Sequence, residues 1–341
     1  MRQLLMAALC AAGVAQAAAQ AIGPQENVVF TEYPPLSRSE EIARRSFSPL
    51  TIAELSQTAD AKARHLREQP LDLAQESFSL YVPASSPPRG YSLLVFVSPL
   101  DTPMIPQSWH WVLDRHATIV VSAAKSGNSQ PIWDRRMPLA LAGAFNVMRR
   151  YPVDSTKIFI GGLSGGSRVA MRLALDYPDL FHGALLNAGS DPIATQLAVL
   201  PAAQLFEQFQ NESRIFYITG DMDSVNVGAD IASAQSLNAW CVFGTVSQTM
   251  FHAGHEAPAA AYLDKALEYL ETPLQPNAGK LTSCRNRIAA NLTAALQHVR
   301  AQLERGRRQS ALKELKSIDL RYGGLAAPDS LELLARLNSL R

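Results

Sequence analysis

A serine set among glycines, followed along the chain by carboxylates and then histidines, supplies the residue types that nucleophilic acyl transfer requires. The run Gly161-Gly162-Leu163-Ser164-Gly165-Gly166 contains the spacing Gly-x-Ser-x-Gly. A serine hydroxyl is a weak nucleophile. It needs a base to take its proton, and the base needs an acid to orient it. Downstream lie Asp221 and Asp223, then His252 and His255. Asp223 is the expected acid, because it leaves room for the preceding strand to end and the loop to turn inward; Asp221 is its rival. His255 is the expected base, with Gly254 before it and a helical pattern after it, whereas His252 is expected at the strand end or on the surface. In this arrangement His255 takes the Ser164 proton and later returns it to the leaving group, while Asp223 holds the imidazole in one tautomer.

Such a trio works only if the chain positions it. Residues 157–160 read as a short buried strand and 167–177 as a helix, so Ser164 falls on the turn between them. A sharp strand-to-helix turn lifts the hydroxyl above the sheet, and side chains at Gly162 and Gly166 would clash with the neighbouring strand and helix. The helix N-terminus favours negative charge on a tetrahedral intermediate, with the Gly165 N–H as one donor. A second donor is expected from the loop after strand 93–97, which reads Ser98-Pro99-Leu100-Asp101. Proline has no N–H, which leaves Leu100 as the candidate.

The surrounding pattern is one of strands alternating with helices. Strands are expected at 77–82, 93–97, 117–122, 157–160, 185–188, 214–219 and 245–251, and helices at 137–149, 167–177 and 259–270. The short apolar runs suit strands buried on both faces, so the fold class is α/β, a doubly wound and mostly parallel sheet with helices on both faces. Ahead of it, 20–75 reads as an N-terminal extension with a helix at 48–66, where Thr51 and Glu54 have capping-box spacing. Residues 76–272 form the catalytic unit, and 273–281 have linker composition. Residues 282–341 form a small all-helical C-terminal extension, with Ile288, Leu292, Leu296, Val299 and Leu303 on one helix face. That extension holds eleven Lys/Arg against five Asp/Glu, which is the charge of a solvated helix face or of a surface for an anionic partner.

Residues 1–19 carry Arg2, a short Ala-rich apolar run and small-x-small sites at Ala15-Gln16-Ala17 and Ala17-Ala18-Ala19, the pattern of an export signal. The run is too short for a spanning helix, so no membrane attachment is expected once it is removed. Cleavage removes Cys10 and leaves Cys241 and Cys284, either bridged, as export permits, or buried as free thiols. A formal net charge of +1 exerts no general pull toward nucleic acid, and no nucleic-acid module is visible. Trp109, Trp111 and Trp133 read as core residues, or as the lining of an acyl or aryl pocket. Asn211-Glu-Ser and Asn291-Leu-Thr match glycosylation acceptors.

With Ser164, Asp223 and His255 placed, the chain resembles the α/β-hydrolases. More narrowly, residues 77–271 resemble the polyhydroxybutyrate-depolymerase and feruloyl-esterase-like branch of secreted serine esterases. Three stretches carry this: Val121-Ser-Ala-Ala-Lys-Ser-Gly-Asn128, Lys157-Ile-Phe-Ile-Gly-Gly-Leu-Ser-Gly-Gly-Ser-Arg-Val-Ala170, and Ala188-Gly-Ser190. The resemblance implies hydrolysis of small or polymeric esters, with no metal and no cofactor. One departure is local: that branch has His-Gly after the strand ending at Val97, and this chain has Ser98-Pro99. A serine peptidase and a non-catalytic binding protein are the other functions such a scaffold carries.

Overall fold

The sheet has eight strands: β1 (Gly23–Val28), β2 (Phe78–Val82), β3 (Tyr91–Val97), β4 (Thr118–Ala123), β5 (Val153–Leu163), β6 (Gly183–Asn187), β7 (Arg214–Gly220) and β8 (Thr245–Met250). They are seen in a computed structural model that describes residues 21–61 and 68–339. The expected export signal at 1–19 lies outside the described residues. The spatial order is β1-β2-β4-β3-β5-β6-β7-β8. β1 and β4 each pair antiparallel with β2, and every other pairing is parallel. The chain moves from β3 outward to β4 and then returns to the other side of β3 as β5. That reversal opens a crevice beyond the carboxyl ends of the strands, where open α/β sheets bind ligands.

Eleven α-helices accompany the sheet among the described residues: α1 (Ser39–Ser46), α2 (Pro49–Ala61), α3 (His110–Arg115), α4 (Met137–Arg150), α5 (Gly165–Asp176), α6 (Ala203–Glu212), α7 (Ser224–Ala239), α8 (Ala260–Glu271), α9 (Ala278–Glu304), α10 (Arg308–Tyr322) and α11 (Asp329–Ser339). The period-two alternation of a strand sends successive side chains to opposite faces. In β3, Leu93, Val95 and Val97 join the core under α4 and α5, together with Leu139, Val169 and Leu173. Leu94 and Phe96 join the other core, with Val112 and Leu113 of α3 and Leu263 and Leu267 of α8. Trp109 belongs to this second core: it is fully buried, it meets Phe96 edge-on at 5.1 Å, and its Nε1–H donates to Pro258 O at 2.7 Å. Trp111 is exposed.

The seven strands expected between 77 and 251 are all present. The eighth, β1, is an addition from the 20–75 segment, which therefore contributes an edge strand to the sheet. The helix expected at 48–66 starts at Pro49, and its cap is Ser48 rather than Thr51: Ser48 Oγ accepts from Thr51 N at 3.4 Å. Proline suits the first helical position, where no N–H is needed.

Leu50 of α2 shares a third core with Leu296, Val299 and Leu303 of α9, Leu315 of α10 and Leu337 of α11, with Ile288 and Leu292 packed half-buried against it. The last residues of the expected linker are already helical, since Asn277 Oδ1 caps α9 by accepting from Lys280 N at 2.9 Å. Cys241 and Cys284 form a disulfide with their Cα atoms 5.8 Å apart, which fastens α9 to the loop after α7. Basic residues of the C-terminal helices meet acceptors within the chain. Arg285 donates to Gln210 Oε1 at 2.7 Å, Arg300 pairs with Asp329, and Lys316 pairs with Glu54 at 3.2 Å.

Candidate active site

Ser164 stands between the last residue of β5 and the first of α5, with φ 58° and ψ −121°. Positive φ in a residue with a Cβ is strained backbone, held only where the surroundings over-determine it. Here the surroundings are close. A Cβ on Gly162 would lie 2.4 Å from the Gly166 carbonyl, and one on Gly166 would lie 2.0 Å from Val97 O of β3. Ser164 N donates to Asn187 O of β6 at 2.8 Å, which ties the turn to the next strand. The Ser164 backbone is thereby fixed at the carboxyl end of β5, with Gly165 following it as the first residue of α5.

Asp223 and His255 meet past the carboxyl ends of β7 and β8, the same end of the sheet at which the serine turn leaves β5. Asp223 follows β7 and is the N-cap of α7, while His255 lies in the loop between β8 and α8. His255 Nδ1 is 2.6 Å from Asp223 Oδ2. Burial pushes the Asp223 carboxyl up, but hydrogen bonds from His255 and Asn226 outweigh it and hold the group below its ordinary value. The carboxylate is therefore an ionised acceptor at neutral pH, the form that orients an imidazole. Asp221 serves a different purpose. Its Oδ1 accepts from Ala253 N at 3.3 Å and its N–H donates to Met250 O at 3.0 Å, joining the loops after β7 and β8. His252 is exposed, with φ 56°. Ser164 Oγ makes no hydrogen bond among the described residues. Catalytic hydrogen bonds in unliganded sites are often long and tighten only around substrate.

Several residues around this trio escape a reading of the sequence. Asn226 donates to both Asp223 oxygens, and its own Oδ1 accepts from Arg168 Nη2 at 3.3 Å. Arg168 lies one turn into α5 and also pairs with Asp191, so a polar chain runs from the helix of the serine to the acid. Asn226 sits three residues after Asp223, the N-cap spacing that could have flagged it. Leu100 is exposed, and its N–H donates to Ser98 Oγ at 3.1 Å. Below that loop Arg136, only 3 % exposed, donates Nε to Ser126 O at 2.8 Å and Nη2 to Ser98 O at 3.1 Å. It has no carboxylate partner among the described residues. No sequence signal marks such a residue, because its acceptors are main-chain carbonyls of two distant loops.

A mostly parallel sheet in this order, an antiparallel β2 and a strained serine turn after β5 define an α/β-hydrolase fold. No protein-family model matches the chain. It is similar to a poly(3-hydroxybutyrate) depolymerase from Ralstonia pickettii, with 25% identity over 170 residues, 45% of this chain and 33% of that protein. The chain thus spans about a third of the length of the curated relative it matches. Among solved structures it is similar to the S-formylglutathione hydrolase FrmB from Staphylococcus aureus, with 12% identity, a TM-score of 0.44, and coverage of 57% of this chain and 92% of that one. An S-formylglutathione hydrolase from Agrobacterium tumefaciens is similar at 14% identity and TM-score 0.44, covering 57% of this chain and 88% of that one. Est1E from Butyrivibrio proteoclasticus is similar at 12% identity and TM-score 0.42, covering 57% and 91%.

Proposed function

We propose that this chain hydrolyses carboxylic esters, with Ser164 as nucleophile, His255 as general base and Asp223 as the acid that orients it. The observation that carries the reading is the 2.6 Å contact of His255 Nδ1 with Asp223, at the same end of the sheet as a strained serine turn. Ser164 Oγ attacks the acyl carbon as His255 Nε2 takes its proton. The carbonyl oxygen becomes an oxyanion facing the Gly165 N–H. Collapse expels the alcohol, protonated by His255, and leaves the acyl group on Ser164. Water, deprotonated by His255, then attacks the acyl-enzyme, and collapse frees the acid and restores the hydroxyl. Similarity to a polyester depolymerase supports polymeric esters as well as small ones as substrates.

The protein acts after export, through a signal at 1–19, and free of the membrane. The Cys241–Cys284 bridge supports an oxidising compartment. The test is hydrolysis of short p-nitrophenyl esters by the protein lacking 1–19, beside Ser164→Ala. Turnover by the wild type alone is expected. Equal inactivity of both on esters, with wild-type cleavage of chromogenic peptides, turns the reading to a peptidase; inactivity on both substrate types turns it to a binding protein.

A further inference from the structure

The loop after β4 brings to the serine turn a side chain that the mechanism leaves without a role. A Cβ built on Gly165 would lie 2.0 Å from Asn128 Oδ1, 2.7 Å from Cγ and 3.1 Å from Nδ2. The carboxamide of Asn128, an exposed side chain, therefore rests with its oxygen nearest the residue whose N–H is the first oxyanion donor and its Nδ2 about an ångström farther out. It makes no hydrogen bond among the described residues, so its donors are uncommitted.

The loop is held firmly. Asn128 N donates to Pro99 O at 2.9 Å, Lys125 N to Asp101 O at 2.7 Å and Gly127 N to Asp101 Oδ1 at 3.0 Å. Arg136 clamps the same two loops from below through Ser98 O and Ser126 O. A donor presented on so rigid a support needs little reorganisation as charge develops, which is what makes an oxyanion hole effective. The loop after β3 is poorly supplied by comparison. Pro99 has no N–H, and the Leu100 N–H is spent on Ser98 Oγ. A carboxamide suits the role this leaves open: it offers two N–H groups, carries no charge and has no proton to lose near neutral pH.

We propose that Asn128 Nδ2 is the second oxyanion donor, paired with the Gly165 N–H across the carbonyl oxygen of the ester; this rests on the ester-hydrolase reading above. The donor has moved from the main chain of the β3 loop, where this sequence has Ser98-Pro99, to a side chain of the β4 loop.

The experiment compares wild type, Ser164→Ala, Asn128→Ala and Asn128→Asp on p-nitrophenyl acetate, with inhibition by phenylboronic acid and thermal melting of each. Removal of one oxyanion donor is expected to lower kcat by about 100- to 1000-fold with KM held within about threefold. Boronate, whose serine adduct is tetrahedral, is expected to weaken in step with kcat while the melting temperature stays put. Asn128→Asp keeps the shape and its packing on Gly165 but faces the oxyanion with a carboxylate, so it falls at least as far. Wild type active through Ser164, with Asn128→Ala within about threefold of it in kcat and boronate affinity, overturns the assignment alone. Turnover that is absent, or that survives Ser164→Ala, removes the hydrolase reading and this donor with it.

Discussion

Asn226 donates its side-chain N–H to both oxygens of Asp223, at 3.0 and 2.8 Å, and the same carboxylate receives His255 Nδ1 at 2.6 Å. Three directional contacts fix the plane of the acid, and the acid fixes the plane of the imidazole. Asn226→Ala is expected to reduce kcat by about tenfold with an unchanged melting temperature, since it leaves a carboxylate that is less well aimed but still charged. Asp223→Asn, which presents the wrong tautomer partner, is expected to cost about 10⁴-fold in kcat. Asp221→Asn keeps an oxygen for the Ala253 N–H and is expected to stay within about threefold of wild type. Steady-state kinetics on one ester separates the three.

Arg136 is a buried cation with no carboxylate in ion-pair contact among the described residues. Burial pushes its pKa down to about 10, aided by the nearby Arg172 and opposed by Asp101, and it stays protonated at working pH. Arg136→Met leaves the Ser98 and Ser126 carbonyls unpaired, at a cost of about 1–3 kcal/mol each. The expected outcome is a lower melting temperature together with a lower kcat, with both recovering in part in Arg136→Lys. A melting shift without a change in kcat would show that the two loops keep their places without the clamp.

Reduction of the Cys241–Cys284 bridge, which spans 43 residues, is expected to lower stability by about 2–4 kcal/mol. Denaturant melts with and without dithiothreitol measure this. The double variant Cys241→Ser, Cys284→Ser should match reduced wild type and ignore the reductant.

Asp176 is buried where Ser46 Oγ donates to it at 2.5 Å and where Arg172 and Arg45 lie close by. Burial outweighs these partners and pushes its pKa up to about 7. The folded state then keeps a proton that the unfolded chain releases near pH 4. The stability this contributes is full below about pH 4 and is lost as pH rises toward 7. Asp176→Asn should therefore gain on wild type between pH 5 and pH 8, by on the order of 2 kcal/mol, in chemical-denaturation curves at the two pH values.

The serine turn is legible in the sequence because its signals are local: an apolar strand, glycines at the positions where β3 and α5 press closest, and a helix pattern, all within one stretch of chain. The candidate acid and base are an order along the chain, and the contact between Asp223 and His255 follows from β7 and β8 lying side by side. What escapes is set by distant neighbours. Gly23–Val28 reads GPQENV, with no apolar run, and is a strand because β2 offers it an edge. α7 is built largely of small residues, and the sequence shows no clear helical stripe there. The positions of Asn128 and Arg136 depend on two loops, after β3 and β4, that come together only once the strands have paired.

α7 has the candidate acid capping its first turn and Cys241 just beyond its last. Its 16 residues make a rod about 24 Å long. One end sets the aim of Asp223, and the other is moored by a covalent bond to the C-terminal helices, whose core also holds Leu50 from the N-terminal side of the chain. The terminal helices are thereby anchored to the far end of the same helix whose first turn Asp223 caps.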